Sequence, residues 1–204
     1  MRAIDPADHN AADIYKLMIG VIVPRPIAFV STVDAAGVRN LAPFSYFTGC
    51  STNPPVVCFC AAVRPGPNPE KDTLRNVVAT GEFVVNIVSE EFAAQMNACS
   101  AEVAPGVDEF DLSGLTPVAS DLVRPPRVAE SKVQMECRLR QVIPVSDLPG
   151  GGRLVLGDVL RFHVRESLLV DGTKIDPDQL KAIGRMGGPT YVRTHDRFNM
   201  ERPK

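Results

Sequence analysis

Three short segments of this 204-residue chain combine residue types and spacings that could do chemistry. Asn40-Leu41-Ala42-Pro43-Phe44-Ser45-Tyr46-Phe47-Thr48 is small and polar, yet it lies between strand signals. Small residues and hydroxyls let a backbone approach a flat ligand and offer it N–H and O–H groups. The same residues also fit a solvated strand turn with an aromatic anchor. Lys71-Asp72-Thr73 opens a helix, where free N–H groups, the dipole, an ammonium and a hydroxyl together suit a phosphate. Asp72 would cap that turn rather than touch the anion, and an ordinary capped surface helix carries the same signature. Gly184-Arg185-Met186-Gly187-Gly188-Pro189-Thr190-Tyr191 is a glycine-rich turn with one Arg and one Tyr. It has neither the Gly-Lys-Ser/Thr end of a phosphate loop nor the G-x-G-x-x-G spacing, so it either wraps a ligand ring or is only a loop.

The elements that must position these segments are mostly strands. Ile27 to Val33, Pro55 to Ala61 and Phe83 to Val88 are short β-branched and aromatic runs bounded by Pro or Gly. Further on, Val133, Met135, Cys137 and Leu139 alternate with Lys132, Gln134, Glu136, Arg138 and Arg140. A second long strand, Arg153 to Arg165, sets Leu160, Phe162 and Val164 against Arg161, His163 and Arg165, with Pro144 to Gly152 as the hairpin loop. One polar face per strand predicts an antiparallel sheet. Helices are predicted at Asp13 to Ile19 (apolar stripe Ile14, Leu17, Met18), at Asp72 to Thr80 ending on Gly81, and at Ser89 to Cys99 (buried stripe Phe92, Met96, Cys99). Many short strands with few helices favour a barrel or sandwich. The expected organisation is one domain over 1–204, with an N-terminal helix and a C-terminal arm from about 168 to 204.

Composition narrows the functional classes. At 45% apolar and 23% charged the chain is neither disordered, collagenous nor a coiled coil. A net charge of −2 supplies no global field for nucleic acid or anionic lipid. No apolar run approaches the ~20 residues of a membrane span, and the polar start lacks a signal peptide's apolar stretch, so a cytoplasmic location is expected. Five cysteines form an odd, scattered set; Cys58-Phe59-Cys60 is C-x-C, which suits small core residues on one strand face. His9, His163 and His195 are not spaced as metal ligands, so no metal is expected, and no nucleophile elbow is present.

Taken together and in order, R-P-I-A-F-V-S-T (25–32), N-L-A-P-F-S-Y-F (40–47), N-P-P-V-V (53–57), K-D-T (71–73), T-G-E-F-V-V-N (80–86) and G-R-M-G-G-x-x-Y (184–191) form a pattern. With it the chain resembles the flavin reductase-like, FMN-binding split-barrel family, and more closely its longer flavoredoxin-like branch. The resemblance implies a mainly β, six-stranded antiparallel Greek-key split barrel with a few short helices, dimeric, with one FMN per subunit at the interface. It implies that Asn40, Leu41, Ala42, Pro43 and Ser45, with the turn from Thr48 to Ser51, line the isoalloxazine and ribityl chain. Lys71 and Thr73, with Asp72 holding the turn, would meet the phosphate. Arg185, Met186, Gly187, Gly188 and Tyr191 would close over the site. His163 is expected either at the dimer interface or beside the flavin.

The function implied is an NAD(P)H-dependent flavin reductase, hydride passing from nicotinamide C4 to flavin N5, with FMN as cofactor and FAD as the alternative. The cofactors carry that chemistry, which suits a sequence without an obvious general acid or nucleophile. Ser45 and a backbone N–H are the candidates for hydrogen bonds near N5 and N1–C2=O. The alternative is an FMN-binding electron carrier that exchanges electrons with partner proteins and never meets nicotinamide. A monooxygenase or an electron-transfer protein is the expected partner, beside a second copy of the chain. A split barrel acting on pyridoxine phosphate is disfavoured by the flavin-like segments.

Overall fold

Seven strands, every pairing antiparallel, make the main sheet: β1 (Ala28–Val33), β2 (Arg39–Phe44), β3 (Phe47–Thr52), β4 (Pro55–Ala62), β5 (Glu82–Ile87), β6 (Val133–Pro144) and β7 (Gly152–Val164). Their order is β2-β1-β5-β6-β7-β4-β3 in the computed structural model, which describes residues 1–104 and 106–203. The edge strands β2 and β3 are consecutive in the chain, joined only by Ser45 and Tyr46. That corner brings the two edges together, and the Cys60 N–H of β4 donates to the Tyr46 carbonyl at 2.9 Å. The count is seven rather than six because the segment 39–52 breaks at this corner into two strands. The sheet thus curls into a barrel that stays split at this corner, where β2 and β3 do not pair with each other.

Helix α1 (Ala11–Val21) precedes the barrel, and α2 (Asp72–Thr80) lies in the β4–β5 crossover. Leu74 and Val77 of α2 join Ala28, Val30, Phe59, Phe83, Val85 and Val155 in the barrel core. A second core lies on the outer face, where Phe29 and Leu41 meet Phe92, Met96 and Phe110 under α3 (Ala93–Ala98) and α4 (Glu109–Ser113). β1 is therefore buried along its whole length, its successive side chains feeding two different cores.

Several local expectations are corrected. The supposed polar face of β6 is covered: Gln134 and Glu136 are buried, because residues 117–131 fold back over them and offer backbone hydrogen bonds. On β7 the buried side chains are Val155 and Val159. A bulge between the pairings Cys137↔Val159 and Glu136↔Arg161 then shifts the phase, and Phe162, although paired with buried Met135, stays exposed. α1 is longer than predicted, and its Leu17 and Met18 face outward, with Ile19 its only buried residue. The cap of α2 is Lys71; Asp72 stands inside the first turn and pairs with Arg75, while Gly81 ends the helix at φ +72° as expected. Ser89 to Cys99 splits into a 3-10 turn (Glu90–Phe92) and α3, with no side-chain cap from Ser89, although Phe92, Met96 and Cys99 are buried as predicted. Cys58 is buried and Cys60 partly so, and all five cysteines are free. No helix among the described residues is long and apolar enough to cross a membrane.

Candidate functional site

A cleft of about 270 Å³ opens between β2, the start of α2, the α3–α4 connection and a C-terminal hairpin (Ile183–Arg185 paired with Tyr191–Arg193). Nine of the residues singled out above line it. Asn40, Ala42, Pro43 and Ser45 come from β2 and its corner, Lys71, Asp72 and Thr73 from α2, and Arg185 and Tyr191 from the hairpin. Segments far apart in sequence are thus brought to one wall.

The floor is a hydrogen-bond chain. The Thr73 hydroxyl donates to Asn40 Oδ1 at 2.7 Å, and Asn40 Nδ2 donates to Glu109 Oε1 at 2.9 Å. Glu109 Oε2 accepts from the Leu41 N–H at 3.0 Å. Glu109 is buried, and burial pushes its carboxyl above the usual range despite those donors. With Glu109 an acceptor at both oxygens, the Asn40 amide has one orientation, and the Thr73 proton is committed to it.

The cationic wall is made by Lys71 and Arg64. Burial, then the neighbouring Arg64, lowers the Lys71 ammonium from its ordinary value, and Lys71 Nζ lies 5.9 Å from the Phe44 ring centroid. Neither cation has an ion pair among the described residues, and the Arg64 Nε is buried with no hydrogen-bond partner. On the hairpin side, the Arg185 guanidinium stacks over Tyr191 at 4.4 Å and donates to the Gly188 carbonyl, while the Tyr191 hydroxyl donates to Asn97 Oδ1 at 3.1 Å.

The other singled-out residues lie elsewhere. Leu41 points into the outer core; Thr48 and Ser51 are exposed on β3, outside the cleft. Met186, Gly187 and Gly188 form the hairpin turn, where the Met186 carbonyl accepts from Arg25 and Gly187 packs against Ile19 and Gly20. His163 is on β7 with its Nε2 2.5 Å from Glu136 Oε1. Glu136 also accepts from the Asp121 and Leu122 N–H groups; burial opposes its charge, but these donors outweigh it and hold the carboxyl below its ordinary value. Asp121, Glu136 and His163 cluster tightly, yet Asp121 is paired with Arg161 and Glu136 is satisfied by its donors, so the group reads as a polar network anchored on buried Glu136 and open to solvent at Asp121. Arg25, Arg64 and Glu109 were not picked out from the sequence. Arg25 stands inside a quoted segment, whereas nothing local distinguishes Arg64 in its proline-rich loop or Glu109 in an acidic run.

The profile of the flavin reductase like domain matches residues 20–199. The chain belongs to that family. It is similar along 98% of both chains to nitrilotriacetate monooxygenase component B from Bacillus cereus, at 38% identity and a TM-score of 0.93. It is similar at 29% identity and a TM-score of 0.88 to the 2-nitrobenzoate 2-nitroreductase NbaA of Pseudomonas fluorescens, covering 99% of this chain and 96% of that one. The flavoredoxin of Desulfovibrio vulgaris (Miyazaki F) shares the fold, at 22% identity and a TM-score of 0.73 over 87% and 91% of the two chains. Family and neighbours together support a flavin oxidoreductase.

Proposed function

We propose that this flavin reductase-like chain binds FMN in the cleft and reduces it with NAD(P)H. The carrying observation is Arg64, whose Nε is buried without a partner beside Lys71, a second cation that makes no direct ion pair among the described residues and has Glu102 as a nearby carboxylate. A buried N–H of this kind costs free energy until an acceptor arrives, and a phosphate would answer both groups. Lys71, Arg64 and the free N–H groups at the start of α2 hold the phosphate. The β2 segment Asn40 to Ser45 runs along the flavin, and Arg185 and Tyr191 cover it from the hairpin. When bound, the flavin supplies the hydride-accepting chemistry that the cleft's own side chains lack.

Likeness to a monooxygenase component B supports delivery of reduced flavin to a separate oxygenating component. The exposed Leu17, Met18 and Val21 of α1, with Ile22 just after it, support a homodimer that covers them. The test is to purify the protein without added flavin, record its visible spectrum, and add NADH or NADPH without oxygen. Flavin bands that bleach within seconds select the nucleotide. Bands that persist until dithionite is added identify an electron carrier. A colourless protein that also ignores added FMN overturns both.

A further inference from the structure

Behind Ser45 lies a buried cation that the family resemblance does not assign to the site. Arg25 is 4% exposed and forms no ion pair among the described residues. One terminal nitrogen donates to the Ile19 and Ile22 carbonyls at 2.8 and 2.6 Å, the other to the Met186 carbonyl at 2.9 Å, and Nε reaches Ser45 Oγ at 3.4 Å. These contacts engage four of its five N–H donors but leave its charge without a counter-charge, and a charge so desolvated projects strongly into its surroundings. The titratable and charged groups facing it do not cancel it. Tyr46, from the barrel corner, is pushed up by burial and then by Tyr15 of α1, and stays neutral. The Cys60 thiol on β4, a neighbour of Tyr46, is likewise raised by burial. Arg185, whose backbone pairs with that of Arg25 at 2.8 and 3.0 Å, adds a second positive charge.

We propose that Arg25 is a positioning residue for the flavin ring: it holds Ser45 as a hydroxyl donor toward the cleft and biases the site toward the anionic reduced flavin. A hydroxyl that accepts from Arg25 keeps its own proton free to donate. A hydride brings two electrons and one proton, so the reduced ring is an anion until a second proton arrives; a nearby positive charge makes that second proton unnecessary. The inference rests on the flavin reading above.

Arg25→Gln and Arg25→Lys, each loaded with FMN without oxygen, test it. Arg25→Gln is expected to weaken binding of reduced FMN at least tenfold more than that of oxidised FMN, and Arg25→Lys to restore most of the difference. Equal weakening of both forms reduces Arg25 to a structural pin and overturns the proposal. The wild type decides the matter if Arg25→Gln does not fold. In mildly acidic buffer, bound FMN reduced at an electrode is expected to take up two electrons and one proton and to show the anionic reduced spectrum. Uptake of two protons with the neutral reduced spectrum overturns the proposal. Absence of flavin binding by the wild type would instead sink the flavin reading itself.

Discussion

The Thr73 hydroxyl donates to Asn40 Oδ1 at 2.7 Å, fastening the first turn of α2 to β2 across the floor of the cleft. Thr73 is almost fully buried, so its side chain serves this junction before it serves any ligand. Thr73→Val keeps the shape and removes the donor. The expected loss is about 1–2 kcal/mol in urea unfolding, because Asn40 Oδ1 then keeps only the longer 3.3 Å bond from Thr32. FMN and riboflavin affinities are expected to fall together. A loss confined to FMN would make the hydroxyl a phosphate ligand.

Lys71 and Arg64 are both expected to behave differently from Thr73. Lys71→Ala and Arg64→Ala should each weaken FMN roughly tenfold or more, since a charge-assisted hydrogen bond contributes ~1.5–3 kcal/mol. Riboflavin, which lacks the phosphate, should bind as before. Fluorescence titration of both flavins reads the difference, and turnover at saturating FMN should stay near wild type. An unchanged preference for FMN over riboflavin removes both residues from the phosphate end.

His163 sits with Glu136, away from the cleft lining. His163→Ala should lower stability by about 2 kcal/mol, as a buried carboxylate loses one donor and keeps two. Flavin affinity should not change. A tenfold loss of FMN binding would place His163 at the flavin after all.

Glu91 supplies a pH-dependent contribution. Burial opposes its charge, but the bond from Lys132 at 2.7 Å outweighs it and lowers the carboxyl from 4.5 to about 2. The unfolded chain therefore binds this proton more readily than the folded one. The stabilisation is present above pH 4.5 and is lost as pH falls toward 2. Lys132→Met should cost no more than about 1 kcal/mol near neutrality, because Glu91 is half exposed. The gap between wild type and variant in thermal melts should close on acidification; a gap that widens would contradict the sign.

Much of the fold was legible along the chain. The runs around Val30, Phe59 and Val85 and the Gly81 stop are read from neighbours within a few residues, where period-two alternation and a left-handed turn residue act. The exceptions share a cause. Gln134 and Glu136 look solvent-facing until residues 117–131 cover them, and the phase of β7 changes at a bulge set by its partner strand. α1 has an apolar stripe, yet the rest of the described chain leaves much of it uncovered.

The site divides the same way. The strand segment at Asn40 to Ser45, the helix start at Lys71 to Thr73 and the hairpin turn before Tyr191 can be read along the chain, because each depends on local backbone preference and residue type. That Arg25, Arg64 and Glu109 stand at or behind the same cleft follows from folding alone. Their roles come from burial and from hydrogen-bond partners such as the Met186 carbonyl, 161 residues from Arg25. The free energy of a buried charge depends on which groups surround it, and a linear chain does not say which those are until it has folded.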